Sequence, residues 1–338
     1  MQKNETSETM SALYLQGKVK FETLKQGTKS PAMKEILEQA RKFSKSSDPI
    51  LLIGETGTGK NMIAQAIHNE RQLEGDPTEI NCTGIPEQLW ESELFGHKKG
   101  AFTNAYENKV GLAKIATNGT LFFDEIGELP LYTQAKLLRF IEQKRFYAIG
   151  STEEQETNAH IVCATNKSLK ELLDPQKFRT DLFYRLSLFI RIPSLRERKE
   201  DLDFLIGKFL DDVKEKTRKE LAISEDVIEF FQKYSWPGNI RQLKHAIRYA
   251  VYSVSEGDTI KLNHLPPWLI ETQVEEIKTQ AEEVCEEENF SLDTAVRKHI
   301  LKVLDITNGN VAKAARMLGK SEETIRQKRD QYKEQGLL

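Results

Sequence analysis

The sequence predicts an α/β core, with helices on both faces of a parallel sheet, followed by all-helical segments. Short apolar runs alternate with helical stretches along the first half of the chain, a pattern typical of parallel sheets. These runs are residues 50–53, 121–123, 161–164 and 188–192. A glycine-rich turn follows the first run and opens a helix, whereas the strand signal ends after Pro193. Residues 200–255 then show helical periodicity only, which predicts a small helical subdomain.

The composition is that of a folded protein of about two domains. Of 338 residues, 38% are hydrophobic and 30% are charged, which excludes wholesale disorder and the fibrous classes. No apolar run approaches the ~18 residues of a membrane span, and the polar N-terminus lacks the apolar centre of a secretory signal. The widely spaced Cys82, Cys163 and Cys285 fit a reducing cytoplasm better than a disulfide framework or a zinc cluster. We therefore expect a cytoplasmic protein without a membrane partner.

The first expected elements are a polar tail and a capped helix. Residues 1–27 are polar and show no strong periodicity, so we interpret them as a tail or linker. Ser30 and Pro31 suit the cap and the first position of a helix, and apolar residues follow at helical spacing. A helix that begins at residue 31 is therefore expected to precede the first strand.

The glycine-rich turn has the composition and the context of a phosphate-binding loop. It consists of Gly54, Glu55, Thr56, Gly57, Thr58, Gly59 and Lys60. Glycines allow backbone N–H groups to approach phosphates, and the helix N-terminus favours negative charge. Lys60 is expected to reach the β- and γ-phosphates of ATP. Asn61 stands where most such loops have Ser or Thr, and its amide is a poorer ligand for Mg²⁺. The alternative is a glycine-rich turn that binds nothing.

Polar residues follow two of the apolar strands. Because ligands bind at the carboxyl ends of parallel strands, we expect Asp124 to hold Mg²⁺ and Glu125 to polarise the attacking water. Helix capping is the alternative for both carboxylates. Thr165 and Asn166 end the next strand, where they can orient the water or sense the γ-phosphate. Turn chemistry is the alternative for this pair.

Arg179 and Arg185 flank residues 181–184. An arginine supplied in trans can stabilise the charge that develops on a transferred phosphoryl group. A spacing of six residues is about 1.7 helical turns, so the two side chains do not share one helix face and are expected to play different roles. Surface ion pairing is the alternative for both arginines.

The net charge of −3 conceals two segments of opposite sign. Residues 271–288 contain eight acidic side chains and one lysine, and we assign 271–290 to an acidic linker. Residues 291–338 contain ten Lys or Arg and six Asp or Glu. Their apolar spacing predicts three helices, with caps at Asn310 and Ser321 and a C-terminal glycine at Gly319. This is the layout of a helix-turn-helix.

The third of these helices, residues 321–332, is the expected recognition helix for double-stranded DNA. Its candidate contacts are Ser321, Glu322, Thr324, Arg326, Gln327 and Lys328. Thr324 and Gln327 can face base edges, whereas the basic side chains are expected to contact phosphates. Glu322 either accepts from cytosine or caps the helix, and Arg329 stands where an apolar core residue is expected. A three-helix interaction domain that does not bind DNA is the alternative.

Two further segments reveal a resemblance to one family. Residues 91–105 read ESELFGHKKGAFTNA, and residues 236–241 read WPGNIR. The first segment resembles a surface loop of the AAA+ activators of sigma-54 RNA polymerase, the bacterial enhancer-binding proteins. Its last six residues correspond to that family's GAFTGA signature. They are Gly100, Ala101, Phe102, Thr103, Asn104 and Ala105. The resemblance extends over about residues 28–338.

This resemblance implies a hexameric ring with ATP bound between subunits. It implies a Walker A lysine at Lys60, a Walker B pair at Asp124 and Glu125, and a first sensor at Thr165 and Asn166. It also implies intersubunit arginines at Arg179 and Arg185, a second sensor at Arg241 and, at Asn81, a residue that switches the catalytic glutamate. The implied domains are an α/β ATPase subdomain at 28–195, a helical lid at 196–270 and a Fis-type helix-turn-helix at 291–338.

Three features depart from the family pattern. Asn104 replaces the second glycine of the signature, and asparagine is the residue that best imitates the backbone freedom of glycine. Asn61 stands where the family usually has glutamate, so the missing hydroxyl is not disqualifying. A receiver or ligand-sensing domain usually precedes the ATPase, so we expect either a truncated chain or control in trans.

The sequence therefore predicts an ATP-hydrolysing transcription activator that uses ATP and Mg²⁺. It binds upstream DNA through residues 291–338 and moves loop 100–105 against sigma-54, which converts a closed promoter complex to an open one. Phe102 at an exposed loop tip suits docking to this partner, and burial under its own loop is the alternative. The rival function is a DNA-binding regulator that binds ATP without engaging sigma-54. An AAA+ unfoldase is a third candidate, against which the DNA-binding segment argues.

Overall fold

The computed structural model describes residues 19–217, 221–255, 257–271, 292–307 and 309–334. The chain divides into two compact units, residues 1–266 and 267–338, which we describe separately. The predicted acidic linker lies almost wholly outside the described residues. Among the described residues, no helix is both long enough and apolar enough to span a bilayer.

The strands of the first unit alternate with helices, as the sequence predicts. In chain order they are β1 (Ile50–Ile53), β2 (Pro77–Asn81), β3 (Gly96–His97), β4 (Lys109–Val110), β5 (Thr120–Asp124), β6 (Arg145–Tyr147), β7 (Glu154–Glu156), β8 (His160–Thr165), β9 (Leu188–Arg191), β10 (Ala222–Ile223) and β11 (Thr259–Ile260).

The helices lie between and after these strands. In chain order they are α1 (Phe21–Gln26), α2 (Pro31–Phe43), α3 (Lys60–Arg71), α4 (Glu87–Phe95), α5 (Leu112–Ile115), α6 (Leu131–Gln143), α7 (Leu169–Leu172), α8 (Thr180–Arg185), α9 (Leu202–Thr217), α10 (Glu225–Lys233), α11 (Asn239–Ser253), α12 (Leu292–Ile306), α13 (Val311–Leu318) and α14 (Glu322–Glu334). Short 3₁₀ turns occur at Ile126–Glu128, Leu195–Glu197, Lys199–Asp201 and Leu262–His264.

A parallel sheet forms the centre of the first unit, in the order β2-β5-β8-β1-β9. Strand β1 is buried on both faces, and its side chains alternate between two hydrophobic cores. Leu51 and Ile53 pack on one side with α4 and α6, whereas Ile50 and Leu52 pack on the other with α1, α2 and α3. The predicted α/β fold is confirmed.

The edge strand β2 was not predicted from the sequence. Its side chains are exposed or half-buried except Ile80, so the segment lacks the apolar run that marks the central strands. A strand with only one neighbour and one buried residue does not need such a run. The strand nevertheless matters for the site, because its last residue, Asn81, pairs with Asp124.

The N-terminal prediction is partly wrong. Residues 1–18 lie outside the described residues, but Val19 and Phe21 are fully buried, and α1 packs against α2 and α3. The few apolar residues of this segment are too short a run to show helical periodicity, although they complete the core. As predicted, Ser30 caps α2, since its Oγ accepts from the N–H of Met33 at 3.5 Å.

The helical lid consists mainly of α9, α10 and α11. Helices α9 and α11 pack against each other, and an aromatic cluster forms where α10 ends. In this cluster the ring centroids of Phe231 and Trp236 are 5.2 Å apart and those of Tyr234 and Trp236 are 5.0 Å apart. One detail corrects the prediction of helices only, because Ala222–Ile223 pairs in parallel with Thr259–Ile260.

The second unit contains the three predicted helices α12, α13 and α14. Asn310 Oδ1 accepts from the N–H of Lys313 at 3.1 Å, and Gly319 ends α13 with φ +60°. Ile325 and Tyr332 are the buried residues that α14 contributes to the small core. Arg329 lies between them in sequence, is half-buried and pairs with Asp330 at 2.7 Å. Position 329 is therefore not part of the small core, which α14 fills with Ile325 and Tyr332.

Candidate functional site

The glycine-rich turn connects β1 directly to α3, at the carboxyl edge of the sheet. Gly57 and Gly59 have φ values of +82° and +104°, which L-residues with side chains rarely adopt. A Cβ on Gly57 would lie 2.4 Å from the carbonyl oxygen of Gly238, which belongs to the lid. The turn therefore needs glycine at position 57 for two reasons, its backbone conformation and its contact with the lid.

Lys60 lies between this turn and the carboxylate of Glu125, the residue that follows β5. Its Nζ donates to the carbonyl of Gly54 at 2.8 Å and lies 3.4 Å from Glu125 Oε1. The Lys60 side chain is only 5% exposed, so its ammonium group is held in place rather than free in solvent. The structure thus brings together the two groups that the sequence assigns to phosphate binding and to water activation.

The two carboxylates at the end of β5 have different surroundings. Glu125 has a left-handed φ of +55°, and its Oε2 accepts from the N–H of Asn166 at 2.8 Å. Asp124 Oδ1 is buried and has no hydrogen-bond partner among the described residues. Because an unpaired buried oxygen is costly, Asp124 has the character of a cation ligand. The donor set therefore fits Mg²⁺ held by Asp124 together with nucleotide phosphates.

The neighbouring polar residues make local contacts. Thr165 is fully buried, and its Oγ1 accepts from the N–H of Lys167 at 3.1 Å, which is the turn chemistry considered as the alternative. Asn166 contributes its backbone N–H to Glu125, and its side chain is exposed. Asn81 Oδ1 accepts from the N–H of Thr83 at 3.0 Å.

Three further predicted site residues differ in their contacts: Asn61, Arg179 and Arg185. The amide of Asn61 donates to Glu79 Oε1 at 3.1 Å. Arg179 makes a two-point ion pair with Asp181, at 3.1 and 2.7 Å. Arg185 is exposed, and the described residues give it no hydrogen bond or ion pair. The two arginines thus differ in their surroundings, and their separate roles remain a prediction.

A set of lid-side residues that the sequence analysis did not single out contacts the phosphate-binding loop. Asn239 is fully buried, and its Nδ2 donates to Glu55 Oε2 at 3.0 Å and to the carbonyl of Thr56 at 3.1 Å. The Arg196 guanidinium forms a two-point ion pair with the Glu55 carboxylate. This guanidinium holds the pKa of Glu55 below its ordinary value, against the effect of partial burial.

The contacts of Arg196 and Asn239 with Glu55 span 141 and 184 residues of the chain, so sequence spacing does not predict them. The one available signal was the WPGN segment, whose Asn239 has a left-handed φ of +52°. Arg241, the predicted second sensor, follows this turn and is exposed. Its Cβ would lie 3.1 Å from a Cβ placed on Gly57. The predicted sensor therefore stands beside the loop.

Loop 100–105 is a compact turn within the segment that connects β3 to β4. The N–H of Gly100 donates to the carbonyl of Ala105 at 2.8 Å, and the N–H of Ala105 donates to that of Phe102 at 2.9 Å. Phe102 is half-buried, with its ring edge-to-face on His97 at 5.0 Å between centroids. The Phe102 ring is thus neither fully exposed at a loop tip nor fully buried under its own loop, the two arrangements considered from the sequence.

Asn104 is exposed and does not have a left-handed φ; within the loop, Gly100 adopts that conformation. Position 104 therefore does not require the backbone freedom of glycine in this conformation of the loop.

The candidate DNA-contacting residues lie on α14, mostly on its exposed side. Ser321 Oγ accepts from the N–H of Thr324 at 3.2 Å and so caps the helix as predicted. Glu322, Thr324, Arg326 and Gln327 are exposed, whereas Lys328 is half-buried. Thr324 and Gln327 are three residues apart and share one side of the helix.

Comparison with known families gives three successive matches along the chain. The Sigma-54 interaction domain matches residues 27–191, the AAA+ ATPase lid domain matches residues 196–282, and the bacterial regulatory proteins of the Fis family match residues 297–332. The first match contains loop 100–105, and the second extends beyond the predicted lid boundary at residue 270.

Individual relatives agree with these matches. The regulatory protein AtoC of Escherichia coli is 38% identical over 90% of this chain and 67% of its own length. The transcriptional regulatory protein GlrR of the same organism is 39% identical over 87% of this chain and 65% of its own length. The chain therefore spans about two thirds of the length of these relatives.

Among solved structures, NtrX from Brucella abortus in complex with ATP has a TM-score of 0.65 and 25% identity. The likeness covers 89% of this chain and 67% of NtrX. NtrX has also been crystallised with ADP, with the same TM-score. The fold is thus shared with a protein that has been crystallised with ATP and with ADP. Nothing in these comparisons favours the regulator that leaves sigma-54 alone.

Proposed function

Since the chain belongs to the family of sigma-54-dependent transcriptional regulators, with an AAA+ domain and a Fis-type helix-turn-helix, we propose that it hydrolyses ATP to remodel sigma-54 RNA polymerase. The observation that carries the proposal is the position of Lys60 Nζ, 3.4 Å from Glu125 and hydrogen-bonded to the phosphate-binding loop. A phosphate bound by the loop N–H groups would therefore lie close to both the Lys60 ammonium group and the Glu125 carboxylate, the proposed general base.

The chemistry of hydrolysis follows from these positions. Backbone N–H groups of residues 54–60 and the N-terminus of α3 bind the phosphates, and Lys60 offsets their charge. Glu125 accepts a proton from the attacking water. The N–H of Asn166 donates to Glu125 Oε2 and so holds the carboxylate in position. Asp124 would hold Mg²⁺, which would stabilise the negative charge that develops on the phosphoryl oxygens.

We further propose that the active form is a ring of like subunits, and a hexamer is the size that the family suggests. Arg185 supports this proposal because it is exposed and unpaired among the described residues, as an arginine that acts on a neighbour's phosphate must be. Arg179 is paired with Asp181 in the single chain and can exchange that partner for a phosphate at a subunit contact.

Loop 100–105 is proposed to be the surface that moves against sigma-54. Phe102 is half-buried on His97, so its ring is partly available to a partner and is released if the loop rises. The second unit is proposed to hold the ring near a promoter by binding upstream double-stranded DNA in the cytoplasm. The exposed Thr324 and Gln327 can read base edges, while Arg326 and Lys328 position the helix on phosphates.

The test is the formation of heparin-resistant open complexes by sigma-54 RNA polymerase on a supercoiled promoter. The chain is added at a concentration high enough that tethering to an upstream site is not needed for encounter. We expect open complexes with ATP and none with a non-hydrolysable ATP analogue. ATP hydrolysis without open complexes would instead support the regulator that does not engage sigma-54.

A further inference from the structure

A series of buried polar contacts joins the segment that precedes α2 to the phosphate-binding loop. The first contacts in this series are made by Asp201, a residue at the start of the lid that is almost fully buried. Its carboxylate accepts from the hydroxyl of Thr28 at 2.7 Å and from the N–H groups of Lys29 and Ser30 at 2.6 and 2.8 Å. The backbone at 28–30 is therefore fixed to the start of the lid.

Arg198 continues these contacts into the loop. Its Nη1 lies 3.9 Å from Asp201 Oδ2, and its Nη2 donates to the carbonyl of Thr58 at 2.8 Å. The Arg198 side chain is 4% exposed, and its Nε has no partner among the described residues. One buried guanidinium thus contacts both a carboxylate and the backbone of the glycine-rich turn.

The stability of the fold does not explain why Arg198 is buried there. Burial lowers the pKa of Arg198, which means that the charged form is disfavoured, and Asp201 offsets this effect only in part. A buried ion pair at 3.9 Å with an unsatisfied Nε is weak support for a fold. The contact of the guanidinium with the glycine-rich turn suggests a second role, in ordering that turn.

The contact with Thr58 fixes the orientation of one peptide group. A trans peptide is planar, so its C=O and N–H point in opposite directions. With the Thr58 oxygen bound to Arg198, the N–H of Gly59 is directed away from Arg198. Gly59 has no Cβ, and a Cβ placed there would meet no atom within 4 Å, so side-chain packing at Gly59 does not fix this peptide.

We propose that Arg198 is a positioning residue for nucleotide phosphates and that Asp201 links it to residues 28–30. The bound guanidinium keeps the Gly59 N–H available to a phosphate oxygen, and Asp201 keeps the guanidinium in place. A displacement of residues 28–30 then weakens phosphate binding from a distance. This inference rests on the proposed function only in requiring that the loop binds a nucleotide.

The test compares the dissociation constants of ADP and adenosine for the full chain, with labelled ADP as the reporter. We expect Arg198→Lys and Asp201→Asn to weaken ADP binding by about tenfold and to leave adenosine binding unchanged, since adenosine has no phosphate. Thermal unfolding of each variant shows whether it is folded at the temperature of the measurement.

Arg71→Lys is the matched control. Arg71 is also a guanidinium with a buried, unpaired Nε, and it donates to the carbonyls of Ser44 and Ser46 at 2.5 Å. It lies at the other end of α3 from the loop, about 16 Å along the helix axis. If Arg198→Lys lost affinity for ADP and adenosine equally, Arg198 would act only through stability. The same conclusion would follow if Arg71→Lys lost as much affinity for ADP as Arg198→Lys.

Thr28→Val tests the link to residues 28–30 with a milder change. It removes one hydroxyl bond to Asp201, so we expect weaker ADP binding in the wild-type background and no additional loss in the Arg198→Lys background. Fully additive losses would overturn the link, and unchanged ADP binding in Arg198→Lys would overturn the positioning role. A wild-type chain that does not bind ADP would overturn the proposed function itself.

Discussion

Replacement of Glu125 by glutamine is expected to reduce the rate of ATP hydrolysis at least about 100-fold, the contribution of a well-placed general base. Glutamine retains the size of the side chain but cannot accept the proton of the attacking water. ADP binding should be unchanged or tighter, because the substitution removes a negative charge 3.4 Å from Lys60. Phosphate release in steady state and the dissociation constant of ADP measure the two effects separately.

Glu128→Gln provides the control for this prediction. Glu128 lies three residues further along the chain and also pairs with a lysine, since its Oε1 is 2.8 Å from Lys167 Nζ. It is partly exposed, and we assign it no catalytic role. Hydrolysis in Glu128→Gln should remain near the wild-type rate. If Glu125→Gln retained more than a tenth of the wild-type rate, another group would have to be the base.

Phe102→Ala is expected to lower the yield of open complexes by more than tenfold while ATP hydrolysis continues at the wild-type rate. The loss of a buried aromatic anchor at an interface commonly costs about 2 kcal/mol or more. Phe102 is not in contact with the nucleotide site, because its ring packs on His97 in β3. The measurement is the amount of heparin-resistant complex formed at a fixed rate of ATP turnover.

Two further variants sharpen this test. Tyr106→Ala removes a more exposed ring, 73% accessible, from the residue that directly follows the loop, and it should have a small effect. Asn104→Gly restores the family signature and should leave activity close to that of the wild type, because Asn104 does not adopt a left-handed φ. A strong gain in Asn104→Gly, or equal losses in Phe102→Ala and Tyr106→Ala, would contradict this account of the loop.

The core of the site was predictable because its residues follow local rules. Asp124 ends β5 and Glu125 follows it directly, while Lys60 follows the turn after β1. Parallel strands bring their carboxyl ends to one edge of a sheet. The helix caps at Ser30, Asn310 and Ser321 were equally predictable, since a cap depends on residues only three positions apart.

Features that depend on distant parts of the chain were not predictable. Arg196 and Arg198 lie in a strongly charged run that has the appearance of an exposed surface, yet both contact the phosphate-binding loop. The burial of Val19 and Phe21 depends on packing against other helices and strands, and β2 depends on pairing with β5 rather than on its own composition. Each of these requires knowledge of which segments meet in space.

The most direct test of the central claim is the capture of purified sigma-54 by the immobilised wild-type chain. ADP with aluminium fluoride stands in for the phosphoryl group during transfer, and ADP alone is the comparison. We predict that sigma-54 is retained with ADP and aluminium fluoride and is released with ADP alone. Absence of capture in both states, with ATP hydrolysis and DNA binding intact, would contradict the claim that the nucleotide cycle drives loop 100–105 against sigma-54.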